Sequence, residues 1–171
     1  MLRFAAICTF AAALAGAGGP ALAQDSAWLE TFDDWSAFAY EEDGNKVCYI
    51  SSEPIKKEGK YKQRGNVYAL ATHRPAENIA GQISIVAGYT HKADDVVEVA
   101  IGKTSFKLFT DQDIAWTFED KDDKAMVVAM KRGATMVVKG TSSRGTLTTD
   151  TYSLKGFTAA YNKISEACGA S

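Results

Sequence analysis

Apolar and polar residues alternate in short runs along most of this chain. Trp35–Tyr40, Lys46–Ser52, Asn66–His73, Gln82–Ala87, Val96–Ile101, Ser105–Phe109, Ile114–Glu119, Lys124–Lys131, Thr135–Thr141 and Thr146–Leu154 are rich in β-branched or aromatic residues and are bounded by polar or glycine-containing turns. In Gln82–Ala87, Ile83, Ile85 and Ala87 alternate with Gln82, Ser84 and Val86, the two-residue period of a half-buried strand. Lys124–Lys131 differs. Its Met126 to Met130 run is unbroken apolar sequence, which predicts a central strand covered on both faces, with Arg132-Gly133 as a tight turn into Thr135–Thr141. Short strands at this spacing, with no long helical pattern between them, predict a mainly β chain: an antiparallel sandwich or barrel.

One segment carries a helical period. Phe157, Ala160, Tyr161, Ile164 and Cys168 form a single apolar stripe, followed by Gly169 where a C-terminal cap belongs, so one C-terminal α-helix is expected. Trp35 and Trp116 both sit within strand patterns and are expected in the core. Glu53–Gly65, with Pro54, two glycines and five basic residues, invites a membrane or polyanion contact, but Glu53 and Glu58 dilute its charge and Tyr61 is its only aromatic residue, so it reads as a mobile, solvated surface loop.

The first 23 residues belong to a different class. Arg3 supplies a basic start, Phe4 to Ala17 is apolar and Ala-rich, and Ala21-Leu22-Ala23 is a small-x-small cleavage signal before Gln24. That order predicts a cleaved signal peptide over 1–23 and an exported, periplasmic domain over 24–171. The apolar run is shorter than the roughly 18–20 residues that span a bilayer. No membrane span is expected.

Export changes how the cysteines are read. Cys8 lies in the leader, which leaves Cys48 and Cys168, and two cysteines in an oxidising compartment predict one disulfide between them. The rival reading, two free thiols or metal ligands, has neither a C-x-x-C nor a neighbouring histidine behind it. The bridge would pin the terminal helix to the N-terminal part of the sheet. The formal net charge of −2, with Lys and Arg scattered, lacks the clustered basic face that nucleic acid needs.

No catalytic motif emerges. His73 and His91 are the only histidines, too far apart for H-E-x-x-H, and are expected as a surface hydrogen-bonder at a strand end and a solvated loop side chain. The acidic pairs Asp33-Asp34, Asp94-Asp95, Asp111/Asp113 and Glu119-Asp120 with Asp122-Asp123 fit turn geometry better than a cation cage, although Asp111 and Asp113 are the pair to inspect for a metal. Neither a metal nor a cofactor is expected. Thr141–Thr151 is the most distinctive polar stretch. Its alternating hydroxyls read either as a solvated strand face or as a binding face for a glycan or protein, with Thr141, Ser142, Ser143, Arg144 and Thr146 as the residues concerned.

Certain motifs in order suggest a relationship. Phe32-Asp33-Asp34-Trp35 opens the exported domain; Cys48, Ser51, Ser52 and Pro54 follow. Next come Gly88-Tyr89, Trp116, Ala129-Met130-Lys131-Arg132-Gly133 and Ser142-Ser143-Arg144-Gly145-Thr146. Ser153-Leu154, Gly156-Phe157, Ala159 and Cys168 close the series. This pattern resembles the invasion-associated locus B family of alphaproteobacterial exported proteins. The resemblance implies a periplasmic, β-rich single domain and brings no catalytic residue or cofactor to carry over. Many members have a cysteine soon after the opening tryptophan; Ser36-Ala37-Phe38 stands here instead, so a second bridge is not expected. The leading expectation is a non-enzymatic periplasmic protein that binds an envelope protein or glycan. The alternatives are a surface-exposed host-interaction factor and an envelope enzyme whose site would gather distant residues such as His73, Asp111 and Arg144.

Overall fold

The computed structural model describes residues 26–170, so the leader, Cys8 and Gln24 lie outside the described residues. The chain runs β1 (Ala27–Phe32), β2 (Trp35–Glu42), β3 (Asn45–Ser52), β4 (Lys56–Gly59), β5 (Tyr68–Arg74), β6 (Ile79–Val86), β7 (Val96–Ile101), β8 (Thr104–Asp111) and β9 (Ile114–Trp116). It continues through α1 (Asp120–Arg132), β10 (Thr135–Thr141), β11 (Leu147–Ser153) and α2 (Phe157–Cys168). All eleven strands join one antiparallel sheet in the order β1-β2-β3-β5-β6-β9-β8-β7-β10-β11-β4.

The sheet curls on itself. Its β4 edge is reached directly from β3, near the opposite edge, because Glu53-Pro54 carries the chain across. One buried cluster therefore collects Ala37, Ile50, Ala71 and Ile83 from one half and Val99, Met136 and Tyr152 from the other. The two ends meet at Trp35, which is fully buried, donates its indole N–H to the Ser153 carbonyl at 3.0 Å and stands edge-on to Phe157 at 4.9 Å. Gly156 is what lets α2 start there. Its φ is +88°, and a Cβ would overlap the Phe32 carbonyl.

α2 follows the expected stripe, burying Phe157, Ala160 and Ile164 against β1, β2, β3 and β5. Cys168 at its end is bonded to Cys48 on β3, across a sequence separation of 120. The helix is thus packed along its length and fastened covalently at its last turn.

Several expectations are corrected. Lys124–Lys131 is not a strand but lies within α1, and Gly133 follows a helix rather than making a hairpin. Asp120, Asp122 and Asp123 fill the first turn and Lys131 and Arg132 the last, each matching the helix dipole. Asp123 also fixes where the helix docks: its buried Oδ1 accepts the Ile83 N–H and the Thr117 hydroxyl, both at 2.7 Å. Glu53–Gly65 is not all loop, because Lys56–Gly59 adds β4 to the sheet edge. Trp116 is absent from the core. Its register with Ser84 and Phe109 turns it to the outer face of the sheet, where it is partly exposed.

Candidate functional site

A cleft of about 730 Å³ opens where three distant segments meet: 60–65, 88–90 and 142–148. The segment after β4 is held by Arg64, whose every nitrogen is used. Its Nε donates to the Ala87 carbonyl at 2.7 Å, and Nη1 and Nη2 donate to the two carboxylate oxygens of Asp150 on β11 at 2.8 and 2.6 Å. The guanidinium also lies over the Tyr61 and Tyr89 rings, 5.5 and 5.0 Å from their centres. Next to it, the Gly65 N–H bonds to the Gly88 carbonyl at 2.9 Å. Gly88 has φ +70° and a Cβ there would stand 2.6 Å from the Gly65 carbonyl oxygen, so the two backbones can approach only with glycine at 88.

The opposite part of the cleft is the β10–β11 turn. Ser142 holds it internally: its amide donates to the Thr146 carbonyl at 2.9 Å, and its hydroxyl accepts the Thr146 N–H at 3.1 Å. The Ser143 amide donates to the Thr90 carbonyl at 2.8 Å, tying the turn to the 88–90 segment. Tyr89 and Thr148 share a hydroxyl–hydroxyl bond of 2.7 Å across the floor. Of the five residues expected as a binding face, Ser142, Ser143, Arg144 and Thr146 line this cleft; Thr141 does not. Ser142 is buried and occupied, while Ser143 and Arg144 are exposed.

Electrostatics set the cleft apart from the rest of this acidic chain. Lys60, Lys62, Arg64 and Arg144 line it and no Asp or Glu does. Arg64 is neutralised by Asp150, but among the described residues Lys60, Lys62 and Arg144 take part in no ion pair. The lysines, expected on a solvated loop rather than at a polyanion site, line the cleft because β4 and the Arg64 clamp, both non-local features, bring them here.

Neither histidine lines the cleft and neither is solvated, although His91 sits directly behind it, bridged to Ser142 and edge-on to Tyr89 at 5.2 Å. His73 is 1% exposed beneath α2. Its Nδ1 accepts the Gly81 N–H at 2.8 Å, so Nε2 carries the proton and donates to Ser165 Oγ at 3.0 Å; that hydroxyl donates on to the Tyr161 carbonyl at 2.9 Å. Burial, assisted by the Lys131 cation, pushes its pKa down to about 4. His91 is also buried, and neither ring nitrogen finds a partner; the Thr141 backbone lies near without meeting hydrogen-bond geometry. Burial lowers its pKa, against the pull of Asp113 and Asp95. Arg144 reaches the cleft, but His73 and Asp111 do not line it. Among the described residues, no group of three or more His, Cys, Asp or Glu is placed to hold a metal ion. No helix among them is long and apolar enough to cross a membrane.

A second surface lies on the outer face of β2, β3, β5, β6 and β9. Phe38 and Tyr49 stack at 5.0 Å, Tyr40 meets Tyr49 edge-on at 6.1 Å, and Tyr68, Leu70 and Trp116 continue the shallow groove.

Comparison with known proteins adds three findings. A family model described as Invasion associated locus B (IalB) protein matches residues 35–165. The crystal structure of invasion associated protein B from Bartonella henselae superposes with a TM-score of 0.56 at 18% identity, covering 81% of this chain and 95% of that one. At that identity the likeness is one of fold. No curated protein matches.

Proposed function

The chain belongs to the invasion associated locus B family, and on that footing we propose that it is an exported, non-enzymatic binding protein that holds an envelope partner in the cleft between residues 60–65, 88–90 and 142–148. The carrying observation is the cleft's construction. A buried bidentate ion pair, a glycine-only backbone contact and a hydrogen-bonded turn fix three distant segments around a concave surface, while Lys60, Lys62, Ser143 and Arg144 remain exposed on it. Rigid scaffolding with unspent polar groups on the surface is the arrangement a recognition site needs. Support for a non-enzymatic reading comes from the same groups. Arg64 and Asp150 are consumed by each other, Ser142 by its own turn, and the cleft has no histidine or free carboxylate to serve as a general base. Export to the periplasm rests on the leader sequence of residues 1–23.

The test is a photo-reactive amino acid placed at Ser143 in the cleft and, separately, at exposed Lys103 in the β7–β8 turn, with irradiation of living cells of the source bacterium. The proposal expects a discrete adduct from position 143 that is absent from position 103. Equal labelling from both positions, or none from 143, contradicts it.

A further inference from the structure

We propose that the ligand of this cleft is an anionic saccharide, an inference that rests on the cleft being the binding site. Three observations converge on that chemistry. First, the charge is one-signed. Lys60, Lys62 and Arg144 are all exposed, none has an acidic partner among the described residues, and no carboxylate lines the cleft except through the neutralised Arg64–Asp150 pair behind it. The chain as a whole is acidic, with a formal charge of −2, so this concentration of cations is local. A concave surface of one sign focuses its field and selects ligands of the other.

Second, the cations come from separate segments. Lys60 and Lys62 belong to the stretch after β4 and Arg144 to the β10–β11 turn. A compact anion such as phosphate is gripped by donors that converge on one point, commonly a helix N-terminus or a nest of backbone amides. Here neither helix opens into the cleft, and the amides of Ser142, Ser143, Gly145 and Thr146 are already bonded within the protein. The arrangement suits a larger molecule that carries its negative groups apart.

Third, what else lines the cleft is suited to sugar rings. Tyr61, Gln63, Thr90, Ser143 and Thr146 supply hydroxyl, amide and aromatic surface, and the cleft of about 730 Å³ falls within the roughly 300–1,000 Å³ of small-ligand sites. Ring hydroxyls would meet the neutral polar groups while carboxylates or sulfates reach Lys60, Lys62 and Arg144. The buried clamp holds this surface in place before any ligand arrives, which lowers the ordering cost of binding.

Calorimetric titration of the exported chain tests this with four probes: trigalacturonate, a heparin-derived tetrasaccharide, neutral maltotriose and inorganic phosphate. Expected is saturable binding of at least one of the two anionic saccharides, weakening as salt rises, with maltotriose and phosphate at least tenfold weaker. The Lys60→Gln/Lys62→Gln/Arg144→Gln variant should bind the saccharide at least tenfold more weakly at an unchanged melting temperature. Because all three side chains are exposed and unpaired, the fold should survive; Arg144→Gln alone serves where it does not, with a severalfold loss expected. The inference is overturned by equal binding of maltotriose or phosphate, by undiminished binding in the variants, or by no binding of either anionic saccharide. An adduct at position 143 alongside failed titrations would sink this inference alone and leave the cleft as a site for other chemistry.

Discussion

Arg64 and Asp150, 86 residues apart in sequence, form a bidentate ion pair whose side chains are 4% and 3% exposed. Few charged pairs in this molecule are so withdrawn from water; Lys56–Glu58, Lys121–Glu119 and Lys155–Asp33 are all surface contacts. A buried pair recovers its desolvation cost only when its geometry is good and its remaining protons are satisfied. The geometry here is good: two parallel bonds join the pair, Nε is taken by Ala87, and the Tyr61 and Tyr89 rings lie against the guanidinium. The consequence is positional: the pair fixes the segment carrying Lys60 and Lys62 beside the strand that follows Arg144.

Asp150→Asn removes the countercharge and leaves the guanidinium buried. It should destabilise the domain by about 3–5 kcal/mol. Arg64→Met with Asp150→Leu removes both charges and should cost clearly less in urea unfolding. A single variant no worse than the double would show that the pair is not closed to water.

Reduction of Cys48–Cys168 should lower stability by about 2–5 kcal/mol, since the bridge closes a long loop. Denaturant midpoints with and without reductant give the value, and non-reducing peptide mapping should recover the two cysteine peptides joined. Free thiols in oxidised protein would contradict the pairing.

His73 should make the protein acid-sensitive. Its folded pKa of about 4 lies below the ordinary 6.5 because burial and Lys131 oppose the charge, and protonation would break the Gly81 N–H bond to Nδ1. The unfolded chain therefore binds the proton first as pH falls. Stability is intact above pH 6.5 and is lost progressively down to about pH 4. The full loss amounts to roughly 3 kcal/mol at 1.36 kcal/mol per unit. Asp123, raised by burial, acts in the opposite sense at the acid end, so the slope should be compared with that of His73→Gln. Equal slopes would contradict the assignment.

The tryptophans should separate cleanly. Trp35→Ala opens the junction of β2, β11 and α2 and should cost about 3–5 kcal/mol. Trp116→Ala, on the outer face, should cost less than half of that. Similar losses would mean that the outer face is covered in the folded protein.

Legibility from sequence followed locality. The alternation of Ile83 and Ile85 with their polar neighbours is a local signal and marks β6; the stripe from Phe157 to Cys168 marks α2 in the same way. Met126 to Met130 misled because five apolar residues in a row cannot distinguish a two-residue from a 3.6-residue period. The acidic and basic flanks of α1 held the answer. Trp116 could not be placed because its side of the sheet depends on pairing with Ser84, and His73 could not because Gly81 and Ser165 reach it only in the fold. The cleft was half legible. Ser142 to Thr146 stood out as a polar stretch, whereas the basic residues of 56–64 were diluted by Glu53 and Glu58 in sequence, and only the Arg64–Asp150 contact gathers Lys60 and Lys62 away from those acids.

The most direct measurement is backbone amide chemical-shift mapping of residues 24–171 titrated with periplasmic fractions of the source bacterium. The account predicts that a binding fraction perturbs residues 60–65, 88–90 and 142–148 while leaving the β7–β8 turn unmoved. Perturbations centred instead on Phe38, Tyr49 and Trp116 would contradict it and move the binding site to the outer face of the sheet.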